Sequence, residues 1–281
     1  MVTLNTVVIT GATGNVGKPL VAELVAAGIE VRAVSRRAAA GFPPGVTAFR
    51  SALDALPGAD AVFLNSRALG GGLEPTIAAA REAGVTRLVA LSAINADDDF
   101  ARQPSRFRGD RNREVERLAV DSGLEWVSLR PSVFASNFAG MWAHQIRTGD
   151  VVVGPYAKSS TAPIADGDIA AVGARAFLTD CLLGRRLSLT GPEALTNEDL
   201  IGVLGGVLGH ELRYVEAPED AVRQQFQHIG FSAEFGAAYV ALLSETVDRP
   251  ALITHDVERI LGRPATTFSQ WVAEHRSLFT N

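Results

Sequence analysis

The chain is expected to be an α/β protein on a doubly wound parallel sheet, with a smaller, mostly helical lobe from its C-terminal part. Three observations predict this. Short β-branched apolar runs alternate with helix-like segments through about residue 130, the rhythm of strands buried on both faces by crossover helices. A glycine-punctuated turn, Gly11-Ala12-Thr13-Gly14-Asn15-Val16-Gly17, separates the first strand-like run from the first helix. Past about residue 135 the alternation loosens and helical segments dominate. The boundary is placed at 150, giving a sheet core over 1–150 and a lobe over 151–281, with some segments returning to the core.

The first strand is Thr6–Thr10, a β-branched run of the doubly buried kind. The helix after the turn spans Pro19–Ala27, with proline tolerated in its first turn and Gly28 at its C-cap. Glu30–Val34 is the second strand, and Val46–Phe49 and Ala52–Leu56 read as a short strand and a brief helix. Ala61–Asn65 and Arg87–Ser92 are further buried strands, separated by a helix over Glu74–Ala83. A polar loop, 95–109, leads into a helix over Asp110–Ser122 and a strand over Glu125–Arg130. Later helices are expected at Asp168–Thr179, capped by Asp168, and from a Thr196-x-x-Asp199 capping box. Others are expected at Pro218–Gln227, Phe235–Asp248, His255–Leu261 and Phe268–Ser277.

Composition narrows the function. The net charge of −5 argues against sequence-independent nucleic-acid binding, which positive charge carries. The single cysteine, Cys181, excludes an intrachain disulfide. No apolar run approaches the roughly 20 residues of a membrane helix, and the N-terminus enters a strand directly, so a cytoplasmic protein without membrane partner is expected. His144, His210, His228, His255 and His275 show no metal-ligand spacing, and Asp97-Asp98-Asp99 lacks that of a calcium loop, so no metal is expected. The arginines at 102, 106, 108, 111 and 113 read as an exposed face, partly neutralised by Asp110, Glu114 and Glu116. No interface signal fixes an oligomeric state.

The turn carries the chemistry. After a strand and before a helix, Gly11 permits the tight turn, Gly14 admits a pyrophosphate to the backbone, and Gly17 lets helix pack on strand. The unpaired N–H groups at the helix start then face phosphates, so Gly11, Thr13, Gly14, Asn15, Val16 and Gly17 are candidate dinucleotide contacts. The second strand ends in Ser35-Arg36-Arg37, where an NAD site places a carboxylate for the ribose hydroxyls. Guanidinium groups pair with a 2′-phosphate and stack on adenine, so NADP(H) is expected over NAD(H).

These features resemble the short-chain dehydrogenase/reductase superfamily, and within it the atypical, NmrA-like NAD(P)H-binding branch. The matching segments are GATGNVG, VSRR, LVALSAIN, RNREVERLAVDSGLEWVSLRPSVFASNF, PIADGDIAAVGARAF and LTGPEALTNEDL. The resemblance implies a Rossmann-type fold, with Asn65 and Ser92 at strand ends near the cofactor and Pro131, Ser132 and Val133 running past the nicotinamide. It further implies Phe134, Asn137, Phe138 and Trp142 as substrate-pocket residues, and Ser92, Asn112 and Ser132 as candidate catalytic groups. The chain departs from the superfamily pattern in one respect. Where other members carry a Tyr and, four residues later, a Lys, this chain has Arg108 and Asn112. Arginine is effectively never deprotonated and Asn carries no charge.

The resulting expectation is an NADPH-dependent reductase of a bulky hydrophobic aromatic carbonyl or quinone-like compound, working without the Tyr/Lys relay. In lacking that dyad the chain is similar to ketoreductases of angucyclinone-type polyketide pathways, which would place it in antibiotic biosynthesis. The alternatives are an NADPH:quinone oxidoreductase and a non-catalytic NADP(H) sensor that regulates a partner.

Overall fold

The computed structural model describes residues 4–35, 41–247 and 249–280. The chain forms two compact units of nearly equal length. Unit 1 comprises 1–96, 109–130 and 166–188; unit 2 comprises 97–108, 131–165 and 189–281.

Unit 1 holds a seven-stranded sheet. Its strands are β1 (Thr6–Thr10), β2 (Glu30–Val34), β3 (Val46–Phe49), β4 (Ala61–Asn65), β5 (Arg87–Leu91), β6 (Glu125–Pro131) and β9 (Arg185–Leu189), in the order β3-β2-β1-β4-β5-β6-β9. The first six pair in parallel, with Val7 beside Val31 on one side and Ala61 on the other. All five β1 residues are buried, as a strand covered on both faces requires. One face packs under α2 (Ala52–Ala55), α4 (Leu73–Glu82) and α5 (Asn112–Asp121), where Val8, Val62, Leu64, Leu88 and Ala90 meet Ala55, Ile77 and Val115. On the other, Gly173 of α7 (Asp166–Leu178) faces Leu20 of α1 (Gly17–Ala26) and Leu129 of β6. The 3-2-1-4-5-6 order is that of a Rossmann fold, with its switch point between β1 and β4.

Arg87, at the start of β5, is fully buried. Its guanidinium meets Glu125 at 2.8 Å and Asp180 at 2.6 Å, and donates to the carbonyls of Ala176, Phe177 and Thr179. Those carbonyls end α7 and lack helical partners, so one cation both satisfies them and opposes the helix dipole.

Unit 2 contains β7 (Val151–Gly154) paired in parallel with β11 (Arg213–Glu216), and β8 (Ser160–Thr161) antiparallel to β10 (Leu195–Thr196). Its core joins α6 (Ala135–Thr148), α8 (Asn197–Leu208) and α12 (Phe268–Glu274) through Phe138, Trp142, Ile146, Leu200, Leu204, Phe268 and Trp271. The short α11 (Asp256–Leu261) precedes α12. A hairpin of α9 (Glu219–His228) and α10 (Ala233–Ser244) packs against two 3-10 turns, Phe100–Arg102 and Pro104–Arg108.

Residue 150 falls inside unit 2, and 166–188 belongs to unit 1, where it covers the sheet. Unit 2 is mostly helical and nearly as long as unit 1 rather than smaller. A 14-residue helix, α6, occupies 135–148, where the sequence shows no clear element. Asp168 lies within the first turn of α7 rather than capping it, since the helix starts at Asp166; there its carboxylate complements the dipole.

Candidate dinucleotide site

The glycine turn has the geometry its spacing predicts. Gly11 sits at φ +69°, a conformation that L side chains rarely adopt, and its carbonyl accepts from the Gly14 N–H at 2.9 Å. Gly14 in turn accepts from Lys18 N–H at 3.0 Å. A Cβ on Gly17 would lie 2.2 Å from the Gly11 carbonyl oxygen, so only glycine fits where α1 meets the turn. No side chain caps the start of α1, and Thr13, Gly14 and Asn15 are exposed. A ten-residue helix whose first N–H groups have no side-chain cap, entered by an exposed glycine loop, fits a pyrophosphate.

Side chains at the neighbouring strand ends fix this turn. The buried Thr10 hydroxyl donates to the Phe63 carbonyl at 2.7 Å and accepts from Asn65 N–H at 2.9 Å, joining β1 to β4 at the switch point. Asn65 then caps α3 (Ser66–Leu69) by accepting from Ala68 N–H, and its Nδ2 lies 3.0 Å from where a Cβ on Gly11 would stand. Ser35, at the end of β2, is buried, with its Oγ 3.5 Å from Thr13 Oγ1. Gly11, Thr13, Gly14, Asn15, Val16, Gly17, Ser35 and Asn65 thus converge at the carboxyl ends of β1, β2 and β4. Arg36 and Arg37 lie outside the described residues.

The next strand end is differently built. Ser92 is buried just past β5; its hydroxyl donates to the Asn112 carbonyl at 2.9 Å, and its N–H to Leu129 O at 2.8 Å. Its proton is committed to the first residue of α5. That helix start is held by Arg111, whose N–H donates to Ser66 Oγ and whose guanidinium meets Glu74 at 2.5 Å. Arg108, at the position the superfamily gives to tyrosine, belongs to unit 2, where it stands 5.3 Å over the Phe231 ring.

Glu116, further along α5, is buried rather than part of an exposed face, and accepts from Ser128 at 2.5 Å, Arg130 at 2.5 Å and Arg186 at 2.6 Å. Burial alone would raise its pKa, but the hydrogen bonds from Arg130, Ser128 and Arg186 bring it down to about 2. The five arginines do not form one face: Arg102 pairs with Glu245, Arg106 lies over Phe100, and Arg113 donates to Ala96 O.

The remaining expected site residues belong to unit 2 and are stitched into it. Pro131 ends β6. Ser132 donates from its hydroxyl to Ala162 O at 2.5 Å and from its N–H to Leu189 O. Val133 accepts from Ile164 N–H, and Phe134 bridges to Ile164. Phe138 and Trp142, one turn apart on α6, have ring centroids 4.8 Å apart in a tilted pair and are buried in unit 2's core with Phe268. Asn137, on the outer face, is exposed, and Phe134 is half-buried.

All three tyrosines lie in unit 2. Tyr156 donates to Glu219, whose carboxylate holds the phenol above its usual range, and Tyr214 donates to Pro155 O and is raised by burial. Among the described residues no cluster of three or more His, Cys, Asp or Glu is placed to hold a metal, and no helix is long and apolar enough to cross a membrane. Sequence reading missed Thr10, Arg87 and Glu116. A polar side chain inside an apolar strand was the available signal for the first two.

Comparison with known proteins agrees with this geometry. A family model described as NAD(P)H-binding matches residues 11–180. A (4-alkanoyl-5-oxo-2,5-dihydrofuran-3-yl)methyl phosphate reductase from Streptomyces griseus is 34% identical, over 97% of this chain and 99% of its own. An NAD(P)H azoreductase from Xenophilus azovorans is 26% identical, over 97% and 99%. The crystal structure of an Escherichia coli NADPH-dependent quinone oxidoreductase complexed with NADPH superposes with a TM-score of 0.81 at 22% identity, covering 96% of this chain and 99% of the other.

Proposed function

This chain belongs to the NAD(P)H-binding family, and we propose that it is an NADPH-dependent reductase of a bulky hydrophobic aromatic carbonyl or quinone-like compound, working without a protein proton donor. The observation that carries this reading is the pairing of a complete dinucleotide turn with a strand end whose Ser92 proton is committed to the Asn112 carbonyl. When bound, the cofactor supplies a hydride. The chain's own residues bind and orient it: the turn at the pyrophosphate, Ser35, Arg36 and Arg37 at the adenosine end.

Orientation alone can supply about 7–11 kcal/mol of a barrier, whereas an acid adds about a hundred- to ten-thousand-fold. A reductase without its acid therefore suits substrates that stabilise their own negative charge. A quinone does so by delocalisation, and an aromatic ketone does so through a neighbouring phenol. The 34% relative favours a second substrate class, since its name gives a phosphate ester bearing an alkanoyl group on an unsaturated lactone. There the conjugated carbonyls would carry the charge.

The test is titration of the purified protein with NADPH and then NADH, followed by fluorescence, with acceptors added in the same cuvette. Tighter binding of NADPH, with oxidation by quinones or hydroxylated aromatic ketones, is the expected result. Tight binding without oxidation by any acceptor would replace the reductase with an NADP(H) sensor. Failure to bind either cofactor would overturn both.

A further inference from the structure

Lys18 stands in the first turn of α1, one residue past the glycine turn and within the same unit. It is exposed, and among the described residues it joins no ion pair or side-chain hydrogen bond. The other lysine of the chain, Lys158, pairs with Glu198. Three and four residues on from Lys18 stand Val21 and Ala22, so no carboxylate on its own helix face balances the charge. The first turn of α1 holds no acidic residue.

This placement runs against the helix. The N-terminus of a helix carries positive partial charge, where an anion stabilises and a cation destabilises. An anion seated at the turn reverses the sign, because it attracts both the helix end and the ammonium. The reach is also right. A helical side chain leans towards the N-terminus and covers the turn before its own Cα. Four residues back from Lys18 is Gly14, whose carbonyl accepts the Lys18 N–H at 3.0 Å. Gly14 has no side chain to fill that spot: a Cβ there would meet, among the described residues, only the Gly11 carbonyl oxygen, at 3.2 Å. The lysine stem thus runs back over open backbone, at the glycine that admits a pyrophosphate in this type of turn.

We propose that Lys18 is a further cofactor-binding residue, its ammonium pairing with the pyrophosphate of a dinucleotide held on the Gly11–Gly17 turn. The inference rests on the cofactor reading above. A compact ammonium with three donors meets a phosphate oxygen as a point charge, without the planar match that a guanidinium needs. Lys18 is then a small liability to the free protein and a contact in the complex, and the two effects have opposite signs.

Calorimetric titration and thermal melting of the full chain, wild type against Lys18→Gln, test the proposal. The probes are NADPH, ADP-ribose, which has the pyrophosphate without a 2′-phosphate, and 2′-AMP, which has the 2′-phosphate without the pyrophosphate. Lys18→Gln is expected to bind NADPH and ADP-ribose about ten-fold more weakly at low salt, as fits loss of a charge-assisted contact, with 2′-AMP unchanged. The deficit should shrink at high salt, and Lys18→Arg should keep most of the affinity. Without cofactor, Lys18→Gln should melt at the same temperature as wild type or about 1–3 °C higher, since a cation leaves a positive helix end. Unaltered affinity for NADPH and ADP-ribose overturns the proposal. Loss confined to NADPH and 2′-AMP overturns it in favour of the 2′-phosphate. Weaker binding of all three probes with a lower melting temperature overturns it in favour of a structural lysine. A wild-type protein that binds neither NADPH nor ADP-ribose overturns the cofactor reading itself, which keeps that failure distinct from failure of Lys18 alone.

Discussion

The Gly11–Gly17 turn and the corner between Ser92 and Asn112 both stand at the carboxyl edge of unit 1's sheet, and they are built on opposite plans. In the turn, side chains are withdrawn: glycine stands where a Cβ would strike the Gly11 carbonyl, and no side chain caps the helix behind it. The turn is left open to solvent at Thr13, Gly14 and Asn15. At the corner, the polar groups are turned inward: Ser92 donates to Asn112 O, and Arg111 N–H to Ser66 Oγ. One region is prepared to bind, and the other holds its own helix in place. A strand end with a hydroxyl and a polar residue on the next helix is thus no sign of acid catalysis until the direction of its hydrogen bonds is known.

Gly17→Ala strikes the first region hardest. The methyl must displace the Gly11 backbone, an overpacking cost of about 1–3 kcal/mol, and NADPH affinity by fluorescence should fall by up to about two orders of magnitude. Unchanged affinity would mean that the turn does not hold the pyrophosphate.

Glu116→Gln probes the scaffold of the second region. Its folded pKa, about 2, lies below the 4.5 of an ordinary glutamate, so its ionised form stabilises the fold. That contribution is present above about pH 4.5 and is lost as pH falls towards 2. The variant should be less stable at pH 7 by about 2 kcal/mol, below the full cost of breaking a buried pair because Arg186 is half exposed. Denaturant melts from pH 7 to 3 should show the two proteins converging at the acid end. Parallel curves would contradict the assignment.

Ser92→Ala should have the smallest effect. Loss of a true proton donor would cost about a hundred- to ten-thousand-fold, whereas a hydroxyl spent on a carbonyl should change kcat by less than about ten-fold, with a small loss of thermal stability. A thousand-fold drop would make Ser92 a catalytic acid and erase the contrast.

The parts legible in the sequence were those decided locally. The β1–turn–α1 unit, the parallel strands and the Thr196/Asp199 capping box all rest on residues within a few positions of one another. β9 was not legible: RRLSL opens with two arginines and occupies the sheet edge, so its apolar signal is weak. α6 carried the Phe138, Trp142, Ile146 stripe, but Ser136, Asn137 and Gly140 diluted its helical propensity. The burial of Phe138 and Trp142 was hidden for a related reason, because spacing that places them on one helix face does not say that unit 2's core covers that face. The burial of Arg87 depends on carbonyls some 90 residues away, beyond any local pattern.

The proposed reductase would bind its cofactor at the Gly11–Gly17 turn and supply no acid of its own. This is tested most directly by following NADPH oxidation with two matched aromatic ketones, one bearing a hydroxyl beside the carbonyl and one without it, across pH 6–10. Turnover of the hydroxylated ketone alone is expected, with a pH profile that follows the substrate's phenol. Equal turnover of both, with a profile set by a group of the protein, would contradict it.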